Sequence, residues 1–350
     1  MKTWMQRFGF TASIIFVLIL SACGSTSGSG GSSGGSNSGS SPISLKIMVG
    51  GLNKQIYLPN ELTQRLGYFA QEGLNVTLID EASGQSSEDS VLAGQVEAGS
   101  GSYNHTIELQ AAGKQMECVV QLGVAPGEAE MVSAKEANQI TSARDLKGKN
   151  LGVTELGSGT QTLTTILLHN VGITPDQVHF IPVGAGDTFI AGMQQGRIDA
   201  GMTTEPTISR LISSGVGKVL ADLRTPQTTQ AALGGPYPFI CLFMQNNYVN
   251  THKDVVQKIV NAYVKTLKWM HTHTAAQIAD MMPADYYAGD KTAYVAALQN
   301  QLAIFSPDGN MPDGGPQFVL STEQETNQTV QGKQIDLSLT YTNEFTGKAS

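Results

Sequence analysis

At 350 residues, 40% of them hydrophobic, the chain is long enough to bury two ordinary cores, which excludes disorder throughout. A formal charge of -8 and the lack of clustered Lys and Arg exclude a nucleic-acid partner. Only 14% of residues are charged, against roughly 25% in ordinary soluble proteins, so the surface is unusually neutral and rich in amide and hydroxyl side chains.

At the N-terminus, Lys2 and Arg7 precede an apolar run from Ile14 to Leu20 that is too short to span a bilayer comfortably and reads as an export signal. The run ends at Leu20-Ser21-Ala22-Cys23-Gly24, which resembles the lipobox of bacterial lipoproteins, where the Cys is acylated and becomes the mature N-terminus. Cys23 is thus the expected lipidation site and residues 1–23 the expected lipoprotein signal peptide; a plain signal peptide with a chance Cys is the alternative. Residues 24–42 are nearly all Gly and Ser. Such a segment behaves as a flexible tether with a reach on the order of 24 Å, enough to hold a folded body beside a membrane partner.

The body alternates short apolar strands with amphipathic helices, the pattern of α/β sheets covered on both faces. Strands are expected at Leu45 to Val49, Val76 to Ile79, Ala98 to Ser102 and Cys118 to Leu122. Helices are expected after Pro59-Asn60, over Ser87 to Gly94 and over Asn104 to Ala112. A second set opens near Lys135, with strands at Leu151 to Thr154, His179 to Val183, Ile198 to Met202 and Val219 to Leu223. Its helices carry Leu163, Ile166 and Leu167, run from Asp187 to Gln195, and follow Glu205-Pro206. The polar stretch Arg224 to Pro238 then precedes the apolar run Phe239 to Met244, read as the chain returning to the first set. The remainder is mostly helical, led by Val256, Ile259, Val260, Val264 and Leu267. Residues 43–134 plus 239–350 are therefore the expected first lobe and residues 135–238 the second, joined by two crossings that make a hinge. Cys118 and Cys241 each lie in an apolar run and are expected as buried thiols, with a disulfide between them as the alternative. The pair His271-Thr272-His273 lacks further ligands nearby, so neither a metal nor a cofactor is expected.

Four segments carry a resemblance. Gly67-Tyr68-Phe69-Ala70-Gln71-Glu72-Gly73-Leu74-Asn75-Val76, Leu92-Ala93-Gly94-Gln95-Val96-Glu97-Ala98, Leu146-Lys147-Gly148-Lys149-Asn150-Leu151-Gly152-Val153 and Gln195-Gly196-Arg197-Ile198-Asp199-Ala200 occur in an order and spacing similar to the nitrate, sulfonate, taurine and thiamine-pyrimidine branch of ABC-importer solute-binding proteins. Glu205-Pro206 completes the set. The resemblance covers nearly the whole mature chain and implies a two-lobed periplasmic-binding-protein fold of type II, each lobe a mostly parallel sheet flanked by helices, with a double-crossover hinge. It is poorly specific for ligand. Each matched motif also has a plain scaffold explanation, such as Gly67 and Gly73 shaping helix ends.

Ligands in open α/β sheets occupy the crevice at the carboxyl ends of the strands, so the strand-to-helix loops supply the candidate binding residues. They are Asn53, Lys54, Gln55 and Tyr57 after the first strand; Ser83, Gly84 and Gln85 after the second; and Ser102, Tyr103 and Asn104 at the third. The second lobe offers Ser158, Gly159, Thr160 and Gln161, then Asp187 and Glu205, and Tyr237 with Phe239 precedes the returning strand. Gly157-Ser158-Gly159-Thr160 opens a helix and would aim backbone N–H groups at an anion, although a simple capped turn reads the same way. Ser83-Gly84-Gln85-Ser86 offers a similar nest. Lys54 is the one basic residue in these loops, which suits a monoanion better than a dianion. Glu205 would meet an ammonium or ring N–H, or cap its own helix.

The expected function is non-enzymatic: an extracytoplasmic, lipid-anchored monomer that captures a small organic monoanion, such as an aliphatic sulfonate, and delivers it to an ABC permease with its cytoplasmic ATPase. A thiamine-type pyrimidine or another nitrogen heterocycle is the second ligand class. An enzyme resembling thiamine-pyrimidine synthases is disfavoured, since the chain has no clustered cysteines, and a surface adhesion or sensor role is a third class.

Overall fold

The computed structural model describes residues 41–349; the apolar N-terminal run, Cys23 and nearly all of the tether lie outside the described residues. Ten strands form two five-stranded sheets. The first contains β1 (Ile43–Val49), β2 (Leu74–Asp80), β3 (Ala98–Ser102) and β4 (Met116–Gln121); the second contains β5 (Glu128–Ser133), β6 (Asn150–Val153), β7 (His179–Pro182), β8 (Ala200–Thr204) and β9 (Gly217–Leu223). The chain then returns to the first sheet as β10 (Ile240–Gln245).

The sheets share one plan. Their strand orders are β2-β1-β3-β10-β4 and β7-β6-β8-β5-β9. In each, the fourth position holds the strand by which the chain enters from the other sheet, and that strand alone runs antiparallel to its neighbours. Both sheets are therefore mixed, each with four strands running one way and one opposed.

The two crossings are bonded to each other. Leu122 N and Gly123 N donate to Ile240 O at 2.9 and 2.8 Å, and Phe239 N donates back to Gly123 O at 2.9 Å. The buried Gln121 side chain reinforces the junction, its Nε2 donating to Gly123 O at 2.6 Å and Ile240 O at 3.1 Å.

One expectation needs correction. The first crossing is complete by Glu128, so the division after residue 134 falls too late and β5 is a strand of the second sheet. Its sequence, Glu-Ala-Glu-Met-Val-Ser, does not look like a buried strand, yet all six residues are buried. The polar stretch before the return contains a helix, Pro226–Leu233, started by the Thr225 cap with Pro in the first turn and ended by Gly234 at φ 94°.

Side chains alternate faces along these strands, and the cores follow. In the second sheet, Met131 packs with Phe189, Met193 and Ile208 on one face, while Val132 packs with Leu151, Leu168 and Ala200 on the other. The larger core surrounds the first sheet and the helix Lys253–Met270, which buries Val256, Ile259, Val260, Val264 and Leu267. Cys118 and Cys241 are buried free thiols in this core.

One close approach positions the candidate site. At Gly50, just beyond β1, an added Cβ would lie 2.5 Å from Gly84 N, 2.6 Å from Tyr57 Oη and 2.7 Å from Ser83 C. The start of the helix Gly84–Leu92 thus rests on the strand end with no room for a methyl group. Gly50→Ala is expected to lower stability by about 1–3 kcal/mol, the cost of overpacking against backbone that cannot rotate away. Urea denaturation of the variant measures this.

Candidate functional site

The carboxyl ends of strands from both sheets converge on one interior space. It is bounded on the first side by Lys54, Ile56, Tyr57, Ser83, Gly84, Ser102, His105 and Phe239, and on the second by Glu128, Thr154, Ser158, Gly159 and Thr160. The enclosed volume is about 20 Å³, room for about one water molecule. Anything larger requires the two edges to separate. Contacts across the gap include Gln55 N donating to Glu205 O at 3.0 Å and Asn104 Nδ2 donating to Thr162 Oγ1 at 3.4 Å.

Two helices begin at this space, Gly84–Leu92 from the first side and Gly159–His169 from the second. Their first-turn amides have no acceptors within the helix, so each end favours negative charge. At the second helix the hydroxyls are committed internally. Thr160 Oγ1 accepts from Thr154 N at 3.0 Å and lies 2.6 Å from Ser158 Oγ, which in turn donates to Glu155 O at 2.7 Å.

Lys54 is buried, and its Nζ donates to Gly50 O at 2.7 Å and Ala82 O at 2.8 Å. An ammonium has three protons, so one is left for a partner in the cleft. Burial lowers its pKa to about 8, partly opposed by the charges of Glu128, Asp80 and Glu155. Glu128 faces the same space at 3% exposure, and its Oε2 has no hydrogen-bond partner. Burial raises this carboxyl to about 8, against the pull of Lys54. At neutral pH the pair therefore presents an ammonium and a predominantly protonated carboxyl, a site with net positive character and one acid O–H to donate.

His105 is fully buried behind the first edge, with Nδ1 3.2 Å from Glu88 Oε2 and 3.5 Å from Glu108 Oε2. These distances permit ion pairing, but neither ring nitrogen makes an aligned hydrogen bond. Burial would lower the imidazole pKa; the adjacent Glu88 and Glu108 outweigh it and raise the value.

Of the loop residues singled out from sequence, Lys54, Tyr57, Ser83, Gly84, Ser102, Ser158, Gly159 and Thr160 are brought together here. Others are not. Asn53 borders an outer opening of about 270 Å³ that shares Lys54 with the central space. Gln55 turns away and bonds Tyr294 O and Gln301. The Gln85 side chain reaches Asp89, and Gln161 accepts from Gly157 N. Tyr103 is a core residue whose hydroxyl pairs with Thr340. Asn104 stands one layer back, accepting from Ser102 Oγ and donating to Glu108. Asp187 is exposed and paired with Arg210. Glu205 accepts from Ser209 N, in the helix Thr207–Ser213 that follows it, and from Arg224. Tyr237 packs between Phe239 and Phe318, outside the lining. Sequence reasoning missed Glu128 as a lining residue; the signal available was the Glu-Ala-Glu-Met-Val alternation of residues 128–132, with acids two positions apart on one face.

A family model described as NMT1/THI5 like matches residues 59–276, more than half of the chain. The chain belongs to the NMT1/THI5-like family. Among similar proteins, YtlA of Bacillus subtilis strain 168 is 20% identical over 314 residues, covering 88% of this chain and 87% of that one. A solved structure from Bordetella bronchiseptica RB50 superposes with a TM-score of 0.84 at 32% identity, covering 88% and 97% of the two chains. The alkanesulfonate-binding protein SsuA of Xanthomonas axonopodis pv. citri, solved with MOPS bound, superposes with a TM-score of 0.66 at 17% identity, covering 81% and 92%. This NMT1/THI5-like chain has the periplasmic solute-binding protein fold.

Several acids in this family member are buried and raised. Besides Glu128, Glu130 sits beneath the cleft with Oε2 bonded by Thr164 Oγ1 at 2.7 Å, and burial lifts it to about 8. A carboxyl raised from 4.5 to about 8 holds its proton in the fold while the unfolded chain releases it, so stability declines as pH rises from about 4.5 to 8. The lowered Lys54 acts in the opposite sense, but only above about pH 8. The melting temperature is expected to be higher at pH 5 than at pH 8. Glu130→Gln, which stays neutral and keeps an acceptor for Thr164, is expected to flatten that dependence. Calorimetric scans across this range check both.

Proposed function

We propose that this protein is an extracytoplasmic solute-binding component of an ABC importer, and that its solute is a small organic monoanion held between the two sheet edges. The observation that carries the reading is the opposition of two helix N-termini, from different sheets, across a space that also contains Lys54 Nζ. Amide ends and an ammonium together recognise one anionic head group, and closure around it would exclude water and strengthen each contact. The bonded crossings supply a hinge about which the edges separate and meet. SsuA, a protein of the same fold, carries a sulfonate-binding name. The export signal and Cys23 support placement outside the cytoplasm on a lipid anchor, where the Gly/Ser tether would keep the body near a permease.

A second reading, a thiamine-type pyrimidine or similar nitrogen heterocycle, is favoured by the unpartnered Glu128 carboxyl, which would pair with a ring nitrogen and its amino group.

The test is a thermal-shift series with aliphatic sulfonates, other organic monoanions and aminopyrimidines on the purified protein. Monoanions are expected to raise the melting temperature by several degrees at ligand concentrations far above Kd. Lys54→Met is expected to weaken that binding by about ten- to a hundredfold, the worth of a charge-assisted hydrogen bond. A larger shift with aminopyrimidines, lost in Glu128→Ala and kept in Lys54→Met, would reverse the order. No shift with any class would count against a binding protein of this kind.

A further inference from the structure

One carboxylate at the cleft rim has an arrangement that neither core packing nor the central lining explains. Glu155 follows β6, and Ser158 fixes its backbone: Ser158 Oγ and N donate to Glu155 O at 2.7 and 3.3 Å. Its side chain crosses to the first side, where Oε2 accepts from Ser83 Oγ and, at 2.7 Å, from Ser86 Oγ. Those hydroxyls belong to the cap and first turn of the helix Gly84–Leu92, where the helix end favours an anion. The adjoining space is marked independently as a recognition site by Glu128 Oε2 and His105 Nε2, both buried and without partners.

We propose that Glu155 is a built-in anion of the cleft: it takes up the Ser83 and Ser86 hydroxyls at the rim of the first-side helix terminus, latches the two edges together, and leaves room for one further negative charge between the facing helix amides and Lys54. This rests on the monoanion reading above and adds its determinant. A ligand with one anionic group fits between those amides, whereas a second anionic group would be driven against Glu155. The latch also acts before any ligand arrives. Its bonds exist only when the edges meet, so they bias the hinge equilibrium toward the closed arrangement.

The full-length protein carries both arms of the test. Spin labels at Lys114→Cys and Lys147→Cys, exposed positions beside the first and second sheets, report the distance between them. Without ligand, Glu155→Ala and Ser86→Ala are expected to shift the distribution to longer separations, Glu155→Ala the more strongly. An unchanged distribution in both variants overturns the latch, whatever binds. In the second arm, calorimetric titration with ethanesulfonate and ethane-1,2-disulfonate is expected to show a preference for the monoanion that falls at least tenfold in Glu155→Ala. Binding with an unchanged preference overturns the specificity role. If neither anion binds any form while Glu155→Ala still opens, the monoanion reading fails and the latch stands.

Discussion

The structure depends on the pairing of its two crossing segments. Leu122 and Gly123 leave the first sheet while Phe239 and Ile240 return to it, and three backbone hydrogen bonds hold the segments side by side. Because each crossing feeds the fourth strand of its sheet, the two sheets are set with the ends of β1, β2 and β3 facing those of β6 and β8. The candidate site follows from that opposition: two helix starts lining one space, a lysine held by carbonyls beside them, and a gap with room for about one water molecule.

The electrostatics of the gap are governed by burial more than by charge count. The chain is acidic overall, yet burial raises Glu128 and Glu130 to about 8 and lowers Lys54 only to about 8, so near neutral pH the acids are mostly neutral and the lysine mostly charged. The carboxylate that does reach across, Glu155, is satisfied by serine hydroxyls. A protein with few surface charges and several protonated buried acids also loses less on acidification than one built on exposed ion pairs, since those acids are already neutral in the fold.

Much of the fold was legible because its elements are locally consistent. Ala98–Ser102 and the helix from Asn104 emerge at nearly the expected bounds, and the long helix Lys253–Met270 shows its apolar face plainly. β5 was not legible, since buried glutamates at alternate positions imitate a polar loop, and the hydroxyl that bonds Glu130, Thr164 Oγ1, is distant in sequence. The site shows the same division. Counting strand-to-helix loops finds the segments that converge, but a loop contains side chains that point both ways. Ser102 lines the cleft while its neighbour Tyr103 reaches into the core for Thr340, and Lys54 turns inward while Asn53 stays at the outer opening. Glu128, on a strand rather than a loop, lay beyond that rule altogether.

The central claim, that solute is held between the facing helix termini, is tested most directly by amide hydrogen exchange with and without a bound ligand from the thermal-shift series. The account predicts added protection over residues 83–88 and 157–162 together, on opposite sides of the gap, with the crossing segments changing less. Protection confined to one side, or located away from both, would contradict it.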